Sequence, residues 1–358
     1  GQVGEGYVNI PISDNVAVRL VGWAEHEGGY IDNQQGTRFY PTSGVLADNS
    51  DVAENDYNTV NTASGRIALG IDLNENWTIT PSVMGQTQKS HGVFGGQASV
   101  GDLEVVHFFP EWNQDDWIQG ALTVEGSLSN FDVVFAASVL ARDVDSNQDY
   151  ADYGYFYDTY LGYGSYFTDN AFNPTNPAQQ VEGRDHYNRE TYELRVNSPA
   201  ENRVRFTAGA FFQHSEHRIH QRYVIEGFND AHEVTGSEDT IWLTEQLRTD
   251  EESALFGEVN FDLTDRLTAT LGTRLFHTES SLEGYFGFND TFAAFYGLGP
   301  DYPGEQTCIG PARLANEPCT NLDKSTEEDG ELYRANLQFE IDEDRMIYAT
   351  YSEGFRPG

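Results

Sequence analysis

The chain lacks long apolar runs and has few basic residues. No stretch of its 358 residues approaches the roughly 18 apolar residues that a transmembrane helix needs, so a helical membrane protein is excluded. Its 20 basic residues are outnumbered by 58 acidic ones, for a formal net charge of -38. Such a charge repels nucleic acid and indicates a solvated exterior or adaptation to a salty medium. A nucleic-acid partner is therefore not expected.

Cysteine is nearly absent, and the two cysteines, Cys308 and Cys319, lie in one glycine- and proline-rich segment. The pair suits a disulfide in an oxidising compartment, where closing the loop contributes about 3 kcal/mol in the chain-entropy account. Two free thiols in a reducing compartment are the alternative. The chain also begins with neither a signal peptide nor an initiator methionine, so we expect residue 1 to be a processed end or a cut.

Apolar and polar residues alternate with a period of two along most of the chain. From Ala63 to Leu73 every second residue is apolar or small, and the residues between are mostly polar. This pattern predicts strands with one apolar and one polar face. A transmembrane β-barrel shows the same stripe at the low mean hydropathy of -0.55 found here, because only every second strand residue faces lipid.

Strand-like runs come in pairs around short turns, and we count about twelve of them, most near the roughly 9–11 residues that cross a bilayer. The predicted strands are 7–11, 16–27, 63–73, 77–88, 117–128, 131–142, 191–198, 203–213, 254–263, 267–278, 332–341 and 346–352.

The connections between these strands alternate between turns of two or three residues and long segments, such as 28–58, 143–186 and 280–331. Outer-membrane barrels show this asymmetry, with short periplasmic turns and long external loops. The predicted fold class is therefore all-β, an antiparallel transmembrane β-barrel. A soluble β-sandwich is the alternative, although it rarely alternates loop length so strictly.

Four stretches resemble the barrel of TonB-dependent outer-membrane receptors. They are YVNIPISDNVAVRLVG with GGYIDN, TYELRVNSPAENRVRFTAGAFF, ALFGEVNFDLTDRLTATLGTRL and the final YATYSEGFRPG. The resemblance implies a 22-stranded barrel filled by a plug domain and opened through the TonB-ExbB-ExbD complex. Residues 1–358 would then be the N-terminal part of the barrel, with about twelve strands, and with the plug and the C-terminal strands absent from this sequence.

The resemblance also implies a location and a function. The location is the outer membrane of a Gram-negative bacterium, in contact with outer-membrane lipid, and the function is active import of a scarce ligand. A ferric siderophore is the first candidate from the family alone. Vitamin B12, an oligosaccharide or another large nutrient stays open, and a passive porin is the alternative of another class.

Two glutamates are candidates for docking the plug. Glu193 and Glu258 fall on the polar faces of their strands, and the resemblance implies that glutamates at these ELR and FGEV positions pair with plug arginines. An unpaired carboxylate inside a protein-filled lumen is costly, so a cationic partner is expected. The alternatives are solvation in a wet channel and pairing with lumen arginines such as Arg195 and Arg274.

Ligand contact is predicted for DYADYGYFYDTYLGYGSYF, residues 149–167, a segment dense in tyrosine, phenylalanine and glycine. Aromatic faces stack on aryl groups or sugar rings, and the tyrosine hydroxyl adds a polar contact. Packing of these aromatics against one another is the alternative. The candidate residues are Tyr153, Tyr155, Phe156, Tyr157, Tyr160, Tyr163 and Tyr166.

Metal binding has weaker candidates. Asp143, Asp145, Asn147 and Asp149 have the spacing with which a calcium loop begins, but Gln148 stands where such a loop needs glycine. A solvated acidic loop is the alternative, and no other cofactor is expected. The HSEHRIH stretch, with His214, His217 and His220, lies just beyond a predicted strand. On extended backbone His214, Glu216 and His220 share a face that could bind a metal or haem iron, and an ordinary polar loop is the alternative.

Nucleophilic catalysis is not indicated, because no serine lies in a GxSxG nucleophile elbow. The protein is therefore predicted not to be an enzyme. A twelve-stranded outer-membrane hydrolase is the one enzyme class that the strand count leaves open.

Overall fold

The computed structural model describes residues 1–159 and 163–356. Within them, twelve strands form one continuous antiparallel sheet, and four short strands form two small ladders beside it. The strands are β1 (Gln2–Ser13), β2 (Val16–Glu27), β3 (Asp32–Asn33), β4 (Thr37–Tyr40), β5 (Val45–Asp48), β6 (Val60–Asn74), β7 (Trp77–His91), β8 (Glu104–Val105), β9 (Trp112–Leu128), β10 (Phe131–Asp149), β11 (Gln180–Asn197), β12 (Val204–Val224), β13 (Thr240–Thr264), β14 (Leu267–Gly287), β15 (Leu322–Asp342) and β16 (Arg345–Ser352).

The order of strands in the sheet follows their order in the chain. Each strand of the large sheet pairs with the next, and only β3, β4, β5 and β8, which lie in long connections, are passed over. Such an up-and-down arrangement needs no crossover, because consecutive antiparallel strands are joined directly by turns. The predicted antiparallel arrangement and number of strands are confirmed.

Short turns close one end of the sheet, which we call the turn end. Residues 14–15, 75–76, 129–130, 265–266 and 343–344 are two-residue turns, and the connection from β11 to β12 is slightly longer. An asparagine side chain supports one of these turns: the Asn74 Oδ1 atom accepts a hydrogen bond of 2.9 Å from the Asn76 backbone amide. The predicted turn positions are confirmed to within a residue.

One face of the sheet is apolar and exposed. Leu255 on β13 and Leu271 on β14 expose 62% and 67% of their surface, and many large apolar side chains share that face. The opposite face, which carries Glu258 and Arg334, is polar. We name these the apolar face and the polar face. Because large apolar areas are rarely left in water, the apolar face requires an apolar surrounding such as lipid.

The strands are longer than the sequence pattern predicts. Instead of roughly 9–11 residues, β12 has 21 and β13 has 25, with the additional residues at the end opposite the turns, which we call the loop end. There, both faces of the sheet meet water, so polar residues occupy both and the alternation disappears. The backbone ladder nevertheless continues, since it does not depend on side-chain polarity.

The buried core lies in the connections at the loop end. Besides the small ladders, these connections contain helix α1 (Ala151–Thr159), helix α2 (Asp290–Tyr296) and one-turn 3-10 helices at Tyr163–Tyr166 and Glu305–Thr307. Their largest cluster of buried apolar residues consists of Tyr157, Tyr166, Phe167, Ile225, Phe228, Ile241, Phe288 and Phe292.

Three connections, those after β10, β12 and β14, contribute to this cluster, which we call the loop core. The loop core packs these three connections together into one body. Cys308 and Cys319 form a disulfide within the third connection, with their Cα atoms 5.8 Å apart. None of the helices in the described residues is both long enough and apolar enough to cross a bilayer.

Candidate functional site

The aromatic segment after β10 folds into α1 and the 3-10 helix that follows it. Tyr153, Tyr155 and Phe156 are partly exposed there, whereas Tyr157 and Tyr166 are buried in the loop core. The burial of Tyr157 and Tyr166 matches the alternative in which these aromatic residues pack against one another, and ligand contact by the candidate residues stays a prediction. Tyr163 begins the 3-10 helix, and Tyr160 lies outside the described residues.

Buried contacts fix the position of α1. The fully buried Asp158 carboxylate accepts hydrogen bonds of 3.0 and 3.3 Å from the backbone amides of Thr42 and Ser43 in the β4–β5 hairpin. Gly154 is equally constrained, because a Cβ atom there would lie 2.2 Å from the Pro177 carbonyl oxygen. The exposed rings of α1 are therefore presented on a rigid support.

An aromatic cavity of about 280 Å³ lies between α1 and the loop ends of β12 and β13. Its rings contact one another in a chain: the centroids of Tyr150 and Tyr223 are 5.2 Å apart, and those of Trp242 and Phe288 are 4.8 Å apart. The residues lining it are Tyr150, Tyr153, Tyr157, Gln179, Tyr223, Ile241, Trp242, Phe288, Tyr302 and Pro303.

The cavity belongs to the polar face of the sheet. Tyr223 and Trp242 are register partners, and Trp242 lies an even number of residues from Glu258 on β13, so both point to the same side. Of the predicted residues, Tyr153 and Tyr157 line the cavity. Tyr150 lies in the predicted segment but is not among the candidate residues. Sequence reasoning missed Tyr223 and Trp242, although aromatic residues at the loop ends of successive strands were a signal that could have found them.

A polar network supports the neighbouring connection. The nearly buried Glu111 carboxylate accepts a hydrogen bond from Tyr57 Oη at 2.9 Å and contacts His107 Nδ1 at 2.7 Å. Burial lowers the pKa of His107, but the hydrogen bond with Glu111 and its charge outweigh burial and raise it above the ordinary value. Burial and the Glu111 charge also raise the pKa of Tyr57 well above its usual range. Glu111 is therefore the centre of a charge-assisted contact that holds this loop.

Burial also governs the ionisable groups of the loop core. His232 stacks on Tyr166 with ring centroids 4.1 Å apart and contacts the Tyr166 carbonyl oxygen through Nδ1 at 2.9 Å. Burial lowers the pKa of His232 and raises that of Tyr166. Both shifts favour the neutral forms of these groups, which suits their packing in the loop core.

The predicted calcium loop is not a loop, and this prediction is corrected. All four predicted ligands lie on strand β10, and they are Asp143, Asp145, Asn147 and Asp149. Alternate residues of a strand are about 6.6 Å apart, so the first and last lie roughly 20 Å apart and do not surround one ion. The sheet uses these side chains differently: Asp145 pairs with Arg184 at 3.0 Å, and Asp149 accepts from the Phe108 amide at 2.6 Å.

The histidines of HSEHRIH lie within β12, not beyond a strand. His217 points to the opposite face from His214 and His220, and it stacks on Tyr187 with centroids 3.9 Å apart. His214, Glu216 and His220 share a face as predicted, but His214 and His220 lie six residues, or roughly 20 Å, apart along the strand and do not converge on one metal or haem iron.

Another histidine has the donors that a metal ion needs. His277 Nε2 lies 3.1 Å from Glu279 and 3.9 Å from Glu327, while Nδ1 lies 2.9 Å from Asp329. Within the described residues, His277, Glu279 and Glu327 form the group whose donor atoms are close enough to share an ion. The group is far from the aromatic cavity along β14, and its contacts are those of a surface ion-pair cluster.

The two predicted plug-docking glutamates already have partners in the sheet. Glu193 pairs with Arg195 at 2.7 Å, and Glu258 pairs with Arg334 at 3.1 Å. Glu258 and Arg334 lie on β13 and β15, and they meet across Gly272 of β14, which is the register partner of both. Gly272 has no side chain to separate them. Both carboxylates keep about 30% of their surface exposed, at 29% and 31%.

A family profile described as TonB dependent receptor-like, beta-barrel, matches residues 111–358, which is more than half of the chain. The chain belongs to the TonB-dependent receptor family. The matched region begins just before β9 and includes every strand that lines the cavity. A search of curated proteins gives no match.

Three solved structures share the fold at low sequence identity. The ferric yersiniabactin uptake receptor FyuA from Yersinia pestis has a TM-score of 0.65 and 11% identity over 97% of this chain and 43% of that chain. The ferric-catecholate import receptor Fiu from E. coli K12 has a TM-score of 0.58 and 11% identity over 99% and 52%. The ferric citrate transporter FecA has a TM-score of 0.55 and 10% identity over 97% and 43%. This chain therefore spans about half of their length.

Family membership shows which surroundings each face of the sheet contacts. In a TonB-dependent receptor, the strands belong to a transmembrane β-barrel of the outer membrane, so the apolar face contacts lipid and the polar face lines the lumen. The predicted fold class is confirmed. The assignment of residues 1–358 to the N-terminal part of the barrel stays a prediction.

Proposed function

We propose that this chain forms the ligand-capturing part of a receptor that imports a ferric siderophore across the outer membrane of a Gram-negative bacterium. The observation that carries the proposal is the position of the aromatic cavity, at the loop end of the lumen-facing side of the sheet. A ligand bound there stands at the mouth of the barrel. Aromatic walls favour contacts with aryl groups, which many iron chelators carry.

The mechanism is binding followed by gated release, with no bond chemistry in this chain. The exposed rings Tyr153, Tyr155 and Phe156 and the adjacent cavity would make the first contacts. A plug domain in the lumen would then be moved by TonB-ExbB-ExbD, opening a path along the polar face. From Trp242 near the loop end to Glu258 near the turn end, that path covers roughly 50 Å of β13.

Two observations restrict the chemical class of the imported ligand. The three similar structures carry the names of receptors or transporters for ferric yersiniabactin, ferric catecholates and ferric citrate, which supports an iron chelate as cargo. The charge of -38 disfavours a strongly anionic chelate, because like charges repel during the encounter. We therefore propose a neutral or weakly charged ferric siderophore.

Deletion of the receptor should slow growth under iron limitation and reduce uptake of radioactive iron supplied as a mixed siderophore extract. Growth in iron-rich medium should be unchanged, because low-affinity iron entry then suffices. Complementation with the wild-type gene restores both growth and uptake. Unchanged iron uptake in the deletion strain would exclude a siderophore as the cargo.

We propose that Glu193 and Glu258 also dock the plug, since both remain partly exposed on the polar face despite their arginine partners. Combined Glu193→Gln and Glu258→Gln substitution should loosen the plug, because each removes a charge that a plug arginine would contact. Planar-bilayer recordings of the purified receptor should then show frequent channel openings where the wild type shows almost none.

The matched control is Glu252→Gln, which removes a carboxylate from the same face of β13 where it pairs with Arg274. This variant should remain closed. Equal conductance of the double variant and the wild type would show that the two glutamates act only within the sheet, through Arg195 and Arg334.

A further inference from the structure

A buried amide without a hydrogen-bond acceptor borders the aromatic cavity. Gln179 exposes 1% of its surface, and no acceptor in the described residues lies within hydrogen-bond distance of its Nε2 atom. Its backbone carbonyl is in use, since it accepts from the Tyr150 amide at 2.9 Å. Leaving an amide group buried and unbonded costs about 1–3 kcal/mol, so buried polar groups nearly always have a partner, and an acceptor that enters the cavity can supply one.

The surroundings of Gln179 restrict what that partner can be. Gln179 lines the cavity together with Tyr150, Tyr153 and Tyr223, and the ring of Tyr150 contacts the rings of the other two tyrosines. Rings of this kind favour flat aromatic groups, which they contact face to edge or in offset stacks. The amide N–H group of Gln179 also needs a hydrogen-bond acceptor on the ligand, such as a carbonyl or phenol oxygen.

The volume of the cavity sets the size of the group. Whole drug-sized ligands fill pockets of about 300–1,000 Å³, so a cavity of about 280 Å³ is too small for an entire ferric siderophore. One aromatic arm of a chelator fits it. The remainder of the ligand would stay outside, toward the exposed rings of α1.

We propose that this cavity is a subsite for a single aromatic ring bearing a neutral oxygen acceptor, with the Gln179 amide as the hydrogen-bond donor. The inference rests on the proposed import function, which supplies the larger ligand, but the cavity itself can be tested with a fragment. Gln179 selects for the acceptor, and the rings of Tyr150, Tyr223 and Trp242 select for the flat aromatic group.

Benzamide is the test probe, because it has one ring and one carbonyl acceptor. Titrated into the purified receptor in detergent, it should quench the fluorescence of Trp242, and Trp242→Phe should remove that change. Cyclohexanecarboxamide, with the same acceptor and no aromatic ring, should produce little change. The fragment is used at millimolar concentrations, because a ligand of one ring binds weakly.

Gln179→Leu should weaken benzamide binding by about fivefold, since one hydrogen bond to a buried donor is lost. Tyr223→Leu, on strand β12 and thus outside the loops, should weaken it by about threefold to tenfold through loss of the ring contact. Gln213→Leu, which removes a glutamine from the same face of β12, is the matched control and should leave binding unchanged.

Two results would overturn the inference: equal binding of benzamide and cyclohexanecarboxamide, or unchanged affinity in both Gln179→Leu and Tyr223→Leu. Saturation-transfer NMR on the same samples reports fragment contact without relying on tryptophan. If iron uptake depends on the receptor while benzamide does not bind, the subsite is wrong and the import function stands. If benzamide binds as expected but iron uptake is independent of the receptor, the import function is wrong and the aromatic subsite stands.

Discussion

Replacing Tyr166 by alanine is expected to destabilise the loop core by about 3–5 kcal/mol, the usual cost of removing a large buried aromatic ring. Tyr166 is completely buried, and its ring lies 4.1 Å from that of His232 and 5.2 Å from that of Phe292. Its hydroxyl shares a 2.8 Å hydrogen bond with Thr291. One side chain thus joins the connections after β10, β12 and β14.

Hydrogen exchange provides the measurement. A loss of about 3 kcal/mol corresponds to more than about a hundredfold in the equilibrium for local opening, so amides in residues 225–239 and 288–296 should exchange faster by a comparable factor. Amides near the turn end should be unaffected, because the strand ladder there does not contact the loop core. Tyr166→Phe should show a smaller effect of about 1 kcal/mol, since only the hydroxyl contacts are lost.

Phe172→Ala is the control, because Phe172 lies in the same connection but exposes 69% of its surface, and its ring meets only the edge of the contact region, with its centroid 6.5 Å from that of His232. It should change exchange in the other two connections far less than Tyr166→Ala does. If Tyr166→Ala did no more than Phe172→Ala, the three connections would be independent loops. The aromatic cavity would then have no rigid wall, and its subsite would not be preformed.

The turns and the two faces of the sheet were predictable from sequence because both depend on neighbouring residues. Asn74 and Asn76 mark a turn through their local hydrogen bond, and the alternation from Ala63 to Leu73 reflects a strand with lipid on one side. Each of these signals is contained in a few consecutive positions. The number of strands followed directly from them.

The length of the strands and the fate of the aromatic segment were not predictable in the same way. Beyond the lipid, β10 continues through Asp143 and Asp149 with water on both faces, so no alternation remains to distinguish a strand from an acidic loop. Tyr166 meets Thr291, which is 125 residues away in the sequence. Burial that depends on such distant partners leaves no local pattern. Gln179 likewise borders a cavity only because β12, β13 and the connections after β10 and β14 bring aromatic rings to it.

The Leu271→Arg substitution should have the largest effect on assembly of the barrel. Leu271 is exposed by 67% on the apolar face of β14, and its register partners Val259 and Ala335 place it inside the apolar band. An arginine near the middle of a bilayer costs about 2–4 kcal/mol on the lipid face of a barrel. We expect less receptor in the outer-membrane fraction and less of the compact, heat-modifiable form on gels.

Two further variants distinguish the effect of the added charge on assembly from the effects of side-chain volume and of position in the sheet. Leu271→Ala removes the same side chain without adding charge, and should retain most of the folded receptor, because lipid fills the space that it leaves. Gln338→Arg places the arginine on the polar face of β15, where the lumen solvates it, and should assemble normally. Equal assembly of Leu271→Arg and Gln338→Arg would mean that the two faces meet the same solvent. A barrel in lipid does not permit that result, because the period-two alternation of these strands separates lipid from the lumen by a single residue.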